Sequence, residues 1–218
     1  EFLTWSEKNQ EFSAAYNYFP ELSSWKIIDF RHQPGTSKYW ISRNEGLAVF
    51  DKAKGQLSYA GHNTANEPII NQLGHVLAPA GLYVDKKKRM WFFTWWSKSS
   101  PAIYIYDLEK KKEVMHDYNL FGIYKFYQEI FGFLEQTDGD IWIYGLGIFA
   151  QYDEKENKFI PVLNGYRDER SIDFATVRNL YEDREKNLWV ATNNNGLYRF
   201  NPSSQFFTNV RQINRTHK

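Results

Sequence analysis

Apolar positions along the chain fall into short runs separated by polar turns, and the runs recur in a fixed order. Four of them centre on tryptophan: "SKYWISRNEGLAVFD" (37–51), "KRMWFFTWWSKSSPAIYIYD" (88–107), "GDIWIYGLGIFAQYD" (139–153) and "NLWVATNNNGLYRFN" (187–201). Their tryptophans, Trp40, Trp91, Trp142 and Trp189, stand 51, 51 and 47 residues apart. Each is preceded by another apolar run, "WKIIDF", "GLYVD", "IFGFLEQ" or "VRNLYED". Each is followed by a Lys-, Asn- or Gly-rich turn and a last run, "QLSYA", "KEVMHDY", "NKFIPVL" or "QFFTNV". Runs this short, rich in aromatic and β-branched residues and lacking a helical period, predict strands.

The tryptophan segment divides at a short loop into a second and a third strand, the third ending in Asp51, Asp107, Asp153 or Asn201. One period therefore holds four strands. A repeat of about 40 to 50 residues belongs to four-stranded blades or to paired helices, and the pattern within each unit excludes helices. The expected fold is all-β, a β-propeller of four-stranded antiparallel blades. Blades are covered on both faces, so inner strands such as "MWFFTWW" lose clean alternation and read as continuous apolar runs. The charges of "KKKEVMHD" suit an outermost strand with a free edge.

These repeats predict units at residues 24–63, 64–119, 120–166 and 167–218, all of one propeller. Residues 1–23 align with the back half of a blade, Trp5 and Ser6 matching Phe200 and Asn201, and Phe12 matching Phe206. About four and a half blades is short of most closed rings, which have four to eight whole ones. The expectation is a partial array, closed by missing blades, by self-association with a second copy, or as an unusually small ring.

Composition narrows the partners. The 218 residues are 42% hydrophobic and 18% aromatic, enough for a sizeable core. Lys+Arg 27 against Asp+Glu 26 leaves a formal charge of +1 and no basic stripe, so no nucleic acid is expected. The absence of cysteine removes disulfides, thiolate nucleophiles and Cys-based metal sites. No run reaches the roughly 18 apolar residues of a membrane span, and "EFLTWSEKNQ" has no secretion-signal pattern. No cofactor and no metal is expected.

The stretch "VRNLYEDREKNLWVATNNNGLYRFNP" (177–202) resembles the two-component regulator propeller repeat: an inner strand, an Asp, a turn, an "LWV" strand and "GLYRF". The other three units match more loosely; Gly139 keeps a turn glycine, and "MWFFTWWSKSSPAIYIYD" carries an insertion. The resemblance implies the extracytoplasmic, periplasmic sensor region of a membrane-bound sensor histidine kinase of the Bacteroidetes type, in some cases hybrid. It also implies an oligosaccharide or other small-molecule ligand, with the kinase outside these residues.

If inner strands run away from one ring face, the loops between second and third strands share that face with the blade-to-blade connections. Loops on a rigid scaffold are the usual place for binding residues. Flat aromatic faces for a sugar's C–H surface and polar groups for its hydroxyls are offered there by Trp95, Trp96 and Tyr144, with Tyr127 and Tyr166 nearby, and by Arg43, Asn44, Glu45, Asn193, Asn194, Arg167 and Asp168. These form the candidate ligand-binding set. Trp40, Trp91, Trp142 and Trp189 are assigned to the core, and Asn195 with Gly196 to turn geometry, since Asn-Gly favours positive φ.

Two alternatives stay open. The same face could grip a protein partner as an interaction scaffold. A glycosidase-type or lyase-type enzyme is the lesser reading: it needs converging arginines, or a loop histidine and a metal, and His62, His75 and His116 lack metal-ligand spacing. No catalytic residue is assigned.

Overall fold

A computed structural model describes residues 3–13, 25–94, 102–117, 128–165, 171–201 and 206–210. It is built from four antiparallel sheets of four strands each. Blade 1 comprises β3 (Ile27–His32), β4 (Lys38–Arg43), β5 (Gly46–Asp51) and β6 (Gln56–Tyr59), after a hairpin of β1 (Thr4–Ser6) and β2 (Glu11–Ser13). Blade 2 follows a short helix, α1 (Pro68–Leu73), and holds β7 (Pro79–Val84), β8 (Arg89–Thr94), β9 (Ala102–Asp107) and β10 (Lys112–Asp117). Blade 3 holds β11 (Glu129–Glu135), β12 (Ile141–Leu146), β13 (Ile148–Asp153) and β14 (Lys158–Pro161). A two-residue parallel pair, β15 (Leu163–Asn164) with β16 (Ser171–Ile172), leads into blade 4: β17 (Val177–Glu182), β18 (Leu188–Thr192), β19 (Leu197–Asn201) and β20 (Phe206–Val210).

The first strand of each blade is the innermost, because β3 meets β7, β7 meets β11, and β11 meets β17. Each of these strands carries a β-bulge near its start, between Ile27 and Asp29, Ala80 and Tyr83, Ile130 and Gly132, and Val177 and Asn179. A bulge adds local twist, which suits strands crowded round a common axis. The result is a partial β-propeller; the described sheets do not close into a ring.

Apolar layers lie between successive blades. Trp40, Leu47 and Val49 meet Leu82, Met90, Phe92 and Tyr106, with Ile69, Ile70 and Leu73 of α1 sealing the layer. Trp91 and Phe93 meet Ile130, Ile143, Tyr152 and Phe159, and Trp142 with Phe149 meets Leu180, Val190 and Tyr198. Removing such a side chain from a packed interior costs about 3–5 kcal/mol.

The four repeat tryptophans also have a polar anchor. Each indole N–H donates to the side chain that opens the turn after the inner strand: Trp40 to Gln33 (3.0 Å), Trp91 to Asp85 (2.8 Å), Trp142 to Gln136 (2.7 Å) and Trp189 to Asp183 (2.7 Å). A buried indole N–H left unpaired would cost about 1–3 kcal/mol, and the bond is kept at a spacing of seven residues in blade 1 and six in the others. At the other turns, Asp51, Asp107 and Asp153 accept backbone N–H groups two or three residues on, the Asx geometry expected of a residue that ends a strand.

The structure departs from the strand-only reading in the long connections. "EPIINQLG" forms a helix with Pro68 in its first turn and Ile69, Ile70 and Leu73 turned inward, a start signal that Pro at the first position makes legible.

Candidate functional site

The loops between second and third strands do lie against the blade-to-blade connections. Leu47 N–H donates to the Gly74 carbonyl, Ala78 N–H to the Asn44 carbonyl, and Gly147 N–H to the Ala175 carbonyl. Blade 1 needs glycine at one of these contacts. Gly46 has φ +133°, and a Cβ there would stand 2.0 Å from the Gly74 oxygen.

Arg43 ends β4 and is buried, 7% exposed. Its guanidinium lies 3.9 Å from the centre of the Trp25 ring and 5.1 Å from that of Tyr59, and it pairs with Glu45 at 3.3 Å. Burial pulls its pKa below the ordinary arginine value, opposed by the Glu45 charge. His62 stacks on the other partner, Tyr59, at 5.1 Å. Asn44 and Glu45 are exposed beside this aromatic stack. Blade 1 thus presents a carboxylate and an amide next to a cation packed on the Trp25 ring, which in turn meets Tyr59 edge-on, an arrangement worth about 0.5–2 kcal/mol to the arginine's placement.

In blade 4, Asn193 is exposed and its side-chain oxygen accepts from Arg178 Nε at 2.9 Å; Arg178 in turn lies over Phe131 of blade 3. Asn194 is exposed. Asn195 has another role: its side-chain N–H donates to the Asp173 carbonyl at 3.0 Å, tying the loop to the connection before its own blade. Only Gly196, at φ +78°, takes the left-handed conformation in this loop.

Tyr144 lies in β12, half-buried, its hydroxyl 2.8 Å from where a Cβ on Gly132 would stand. Burial raises its pKa. It packs among the residues between blades 3 and 4. Trp95, Trp96, Tyr127, Tyr166, Arg167 and Asp168 lie outside the described residues. The structure therefore brings together Arg43, Asn44 and Glu45 in blade 1, and sets Asn193 and Asn194 on blade 4, with two blades between them.

Sequence reasoning passed over a cleft on the opposite, tight-turn face. About 400 Å³ in volume, it is lined by Arg89, Asp140, Gln151, Tyr152, Glu154 and Ile160 among others. Arg89 is buried and paired with Asp85 (2.6 Å) and Glu154 (3.3 Å). The Asp140 carboxyl is raised by burial and by Asp138, and accepts from Gln151 at 2.6 Å. Its members come from separate strands and turns of blades 2 and 3, so no linear motif marks it. Among the described residues, no group of three or more His, Cys, Asp or Glu side chains could hold a metal ion, and no helix is long and apolar enough to cross a membrane.

Comparison with known proteins agrees with the repeat. Residues 171–194 match the family model described as two component regulator propeller. Similar solved structures include the extracellular domains assigned to two hybrid two-component systems of B. thetaiotaomicron. The first is 17% identical with a TM-score of 0.58, over 84% of this chain and 23% of that one. The second is 14% identical with a TM-score of 0.59, over 86% and 22%. The WD40 repeats of RRP9 match at 10% identity and a TM-score of 0.53, over 85% and 51%. At these identities the likeness is one of fold, and the chain spans less than a quarter of the two extracellular domains. No curated protein sequence matches the chain.

Proposed function

We propose that the chain is a segment of the ligand-sensing propeller of a two-component sensor histidine kinase, placed outside the cytoplasm in the periplasm, and that its loop face takes an oligosaccharide or other small molecule. The observation that carries this reading is the match of residues 171–194 to the two component regulator propeller family, on a blade whose strands and turn follow the repeat. The likeness of the whole fold to extracellular domains of two-component systems supports it. Within the candidate set, Arg43, Asn44 and Glu45 supply polar groups beside the Trp25–Tyr59–His62 rings, and Asn193 and Asn194 supply exposed amides. A sugar is recognised by that mixture of ring faces and fixed hydrogen-bonding groups. The role of such a segment is binding without turnover, its output passing to a kinase region elsewhere in the protein.

Isothermal calorimetry against plant and host glycan fragments tests this. Saturable binding with the glycan recovered intact supports the sensor. A new reducing end or an unsaturated product identifies an enzyme, and silence toward every glycan beside tight binding of a protein partner identifies a scaffold.

A further inference from the structure

Blades 2 and 4 carry the same outward-facing set, and among the described residues only that of blade 2 is filled. In all four blades the turn after the inner strand closes with a backbone bond from its fourth residue to its first: Thr36 to Gln33, Lys88 to Asp85, Gly139 to Gln136 and Lys186 to Asp183. Such a turn leaves the N–H of its second residue pointing outward. In blade 2 that N–H, on Lys86, donates to the Glu135 carboxylate of blade 3 at 3.1 Å, and the Tyr83 hydroxyl donates to the same carboxylate at 2.8 Å. In blade 3 the equivalent N–H, on Thr137, donates to Glu182 of blade 4 at 2.7 Å. Glu135 and Glu182 hold the same place, the last residue of the inner strand.

Blade 1 is the informative exception. Its turn has Pro34 at the second position, with no N–H to give, and blade 2 has Val84 where the later blades have Glu. Blades 1 and 2 are instead joined by Asp29, which accepts Leu82 N–H at 2.7 Å, and Arg31, which donates to the Leu82 carbonyl at 2.9 Å. Carboxylate and free N–H occur together, and proline occurs with an apolar residue.

Blade 4 repeats the receiving half of blade 2: Tyr181 for Tyr83, Asp183 for Asp85, Arg184 for Lys86, and Trp189 for Trp91. Here Tyr181 is 63% exposed, Arg184 is exposed, and Trp189 is part-exposed where Trp91 is wholly buried. We infer that the outward face of blade 4 is a docking surface for a further four-stranded blade whose inner strand ends in a carboxylate, received by the Tyr181 hydroxyl and the Arg184 N–H. The leading blade of a second copy does not meet this requirement, since its inner strand ends in His32, whose ring bonds Thr36.

The present chain, extended after residue 218 by a copy of its own residues 120–166 or of 64–119, tests the surface. The first copy brings a Glu135-type carboxylate and the second a Val84-type apolar end. Amide exchange at Arg184, followed by NMR, is expected to slow by about tenfold or more with the first copy, the scale of a charge-assisted hydrogen bond, and to stay unchanged with the second. Equal protection by both copies, protection by neither, or protection of the unextended chain in a concentration-dependent dimer each overturns the proposal. The same pairing is testable at the filled junction. Glu135→Val is expected to lower the urea midpoint, and adding Lys86→Pro to restore part of the loss. A double variant no better than Glu135→Val alone overturns the pairing.

Discussion

The two rims of the array are built in opposite ways. On the tight-turn rim every blade repeats one device, a turn residue that receives the tryptophan N–H, whether it is Gln33, Asp85, Gln136 or Asp183. On the loop rim the side chains of the described blades differ. Blade 1 has a cation packed on a tryptophan ring, blade 3 a tyrosine laid over glycine, and blade 4 an amide reaching to a neighbouring connection. Uniform chemistry marks what each blade needs to stand against the next, and the variety lies in loops that the blade scaffold does not constrain.

Substitutions graded by size sharpen that contrast. The largest effect belongs to the uniform rim: Trp91→Ala, wholly buried, is expected to cost about 3–5 kcal/mol in urea unfolding. Gly46→Ala tests a loop-rim contact of backbone on backbone. With φ +133° and a carbonyl 2.0 Å from the new Cβ, it is expected to cost about 1–3 kcal/mol and to disturb α1.

Acid separates the Asp183 turn from the glutamine turns. Hydrogen bonds from Asn187 and Trp189 hold the Asp183 carboxyl down at about 2, below the ordinary value of about 4. A depressed carboxylate stabilises fully above its unfolded pKa, and that stability falls as pH drops from about 4 through 2. Asp183→Asn is expected to flatten this part of the acid-unfolding curve, whereas Gln136→Glu in blade 3 is expected to steepen it. The smallest effect belongs to the loop rim: Asn194→Ala, at an exposed loop position, is expected to change stability by less than about 0.5 kcal/mol. Any larger change it makes should appear in glycan affinity by calorimetry.

Much of the scaffold was legible along the chain because its determinants are local. The strand runs, the Asp residues at third-strand ends and the recurring tryptophans all lie within one repeat. Gly196 was legible for the same reason. What escaped depends on neighbours distant in sequence. Asn195, read as a turn former, keeps an ordinary φ and binds Asp173. Arg43, read as a ligand group, is also packed against the Trp25–Tyr59 pair. Glu135 and Glu182 look like solvated strand ends until the adjoining turns are placed against them. The cleft around Arg89 and Asp140 has no sequence signature, since its walls come from two blades.

The indole bonds have a kinetic meaning as well. Trp40, Trp91 and Trp142 are each closed over by the following blade, so each indole proton reports on one junction. In a row of units stabilised by nearest neighbours, exchange of those protons, read one by one, would show whether the junctions open together or in turn.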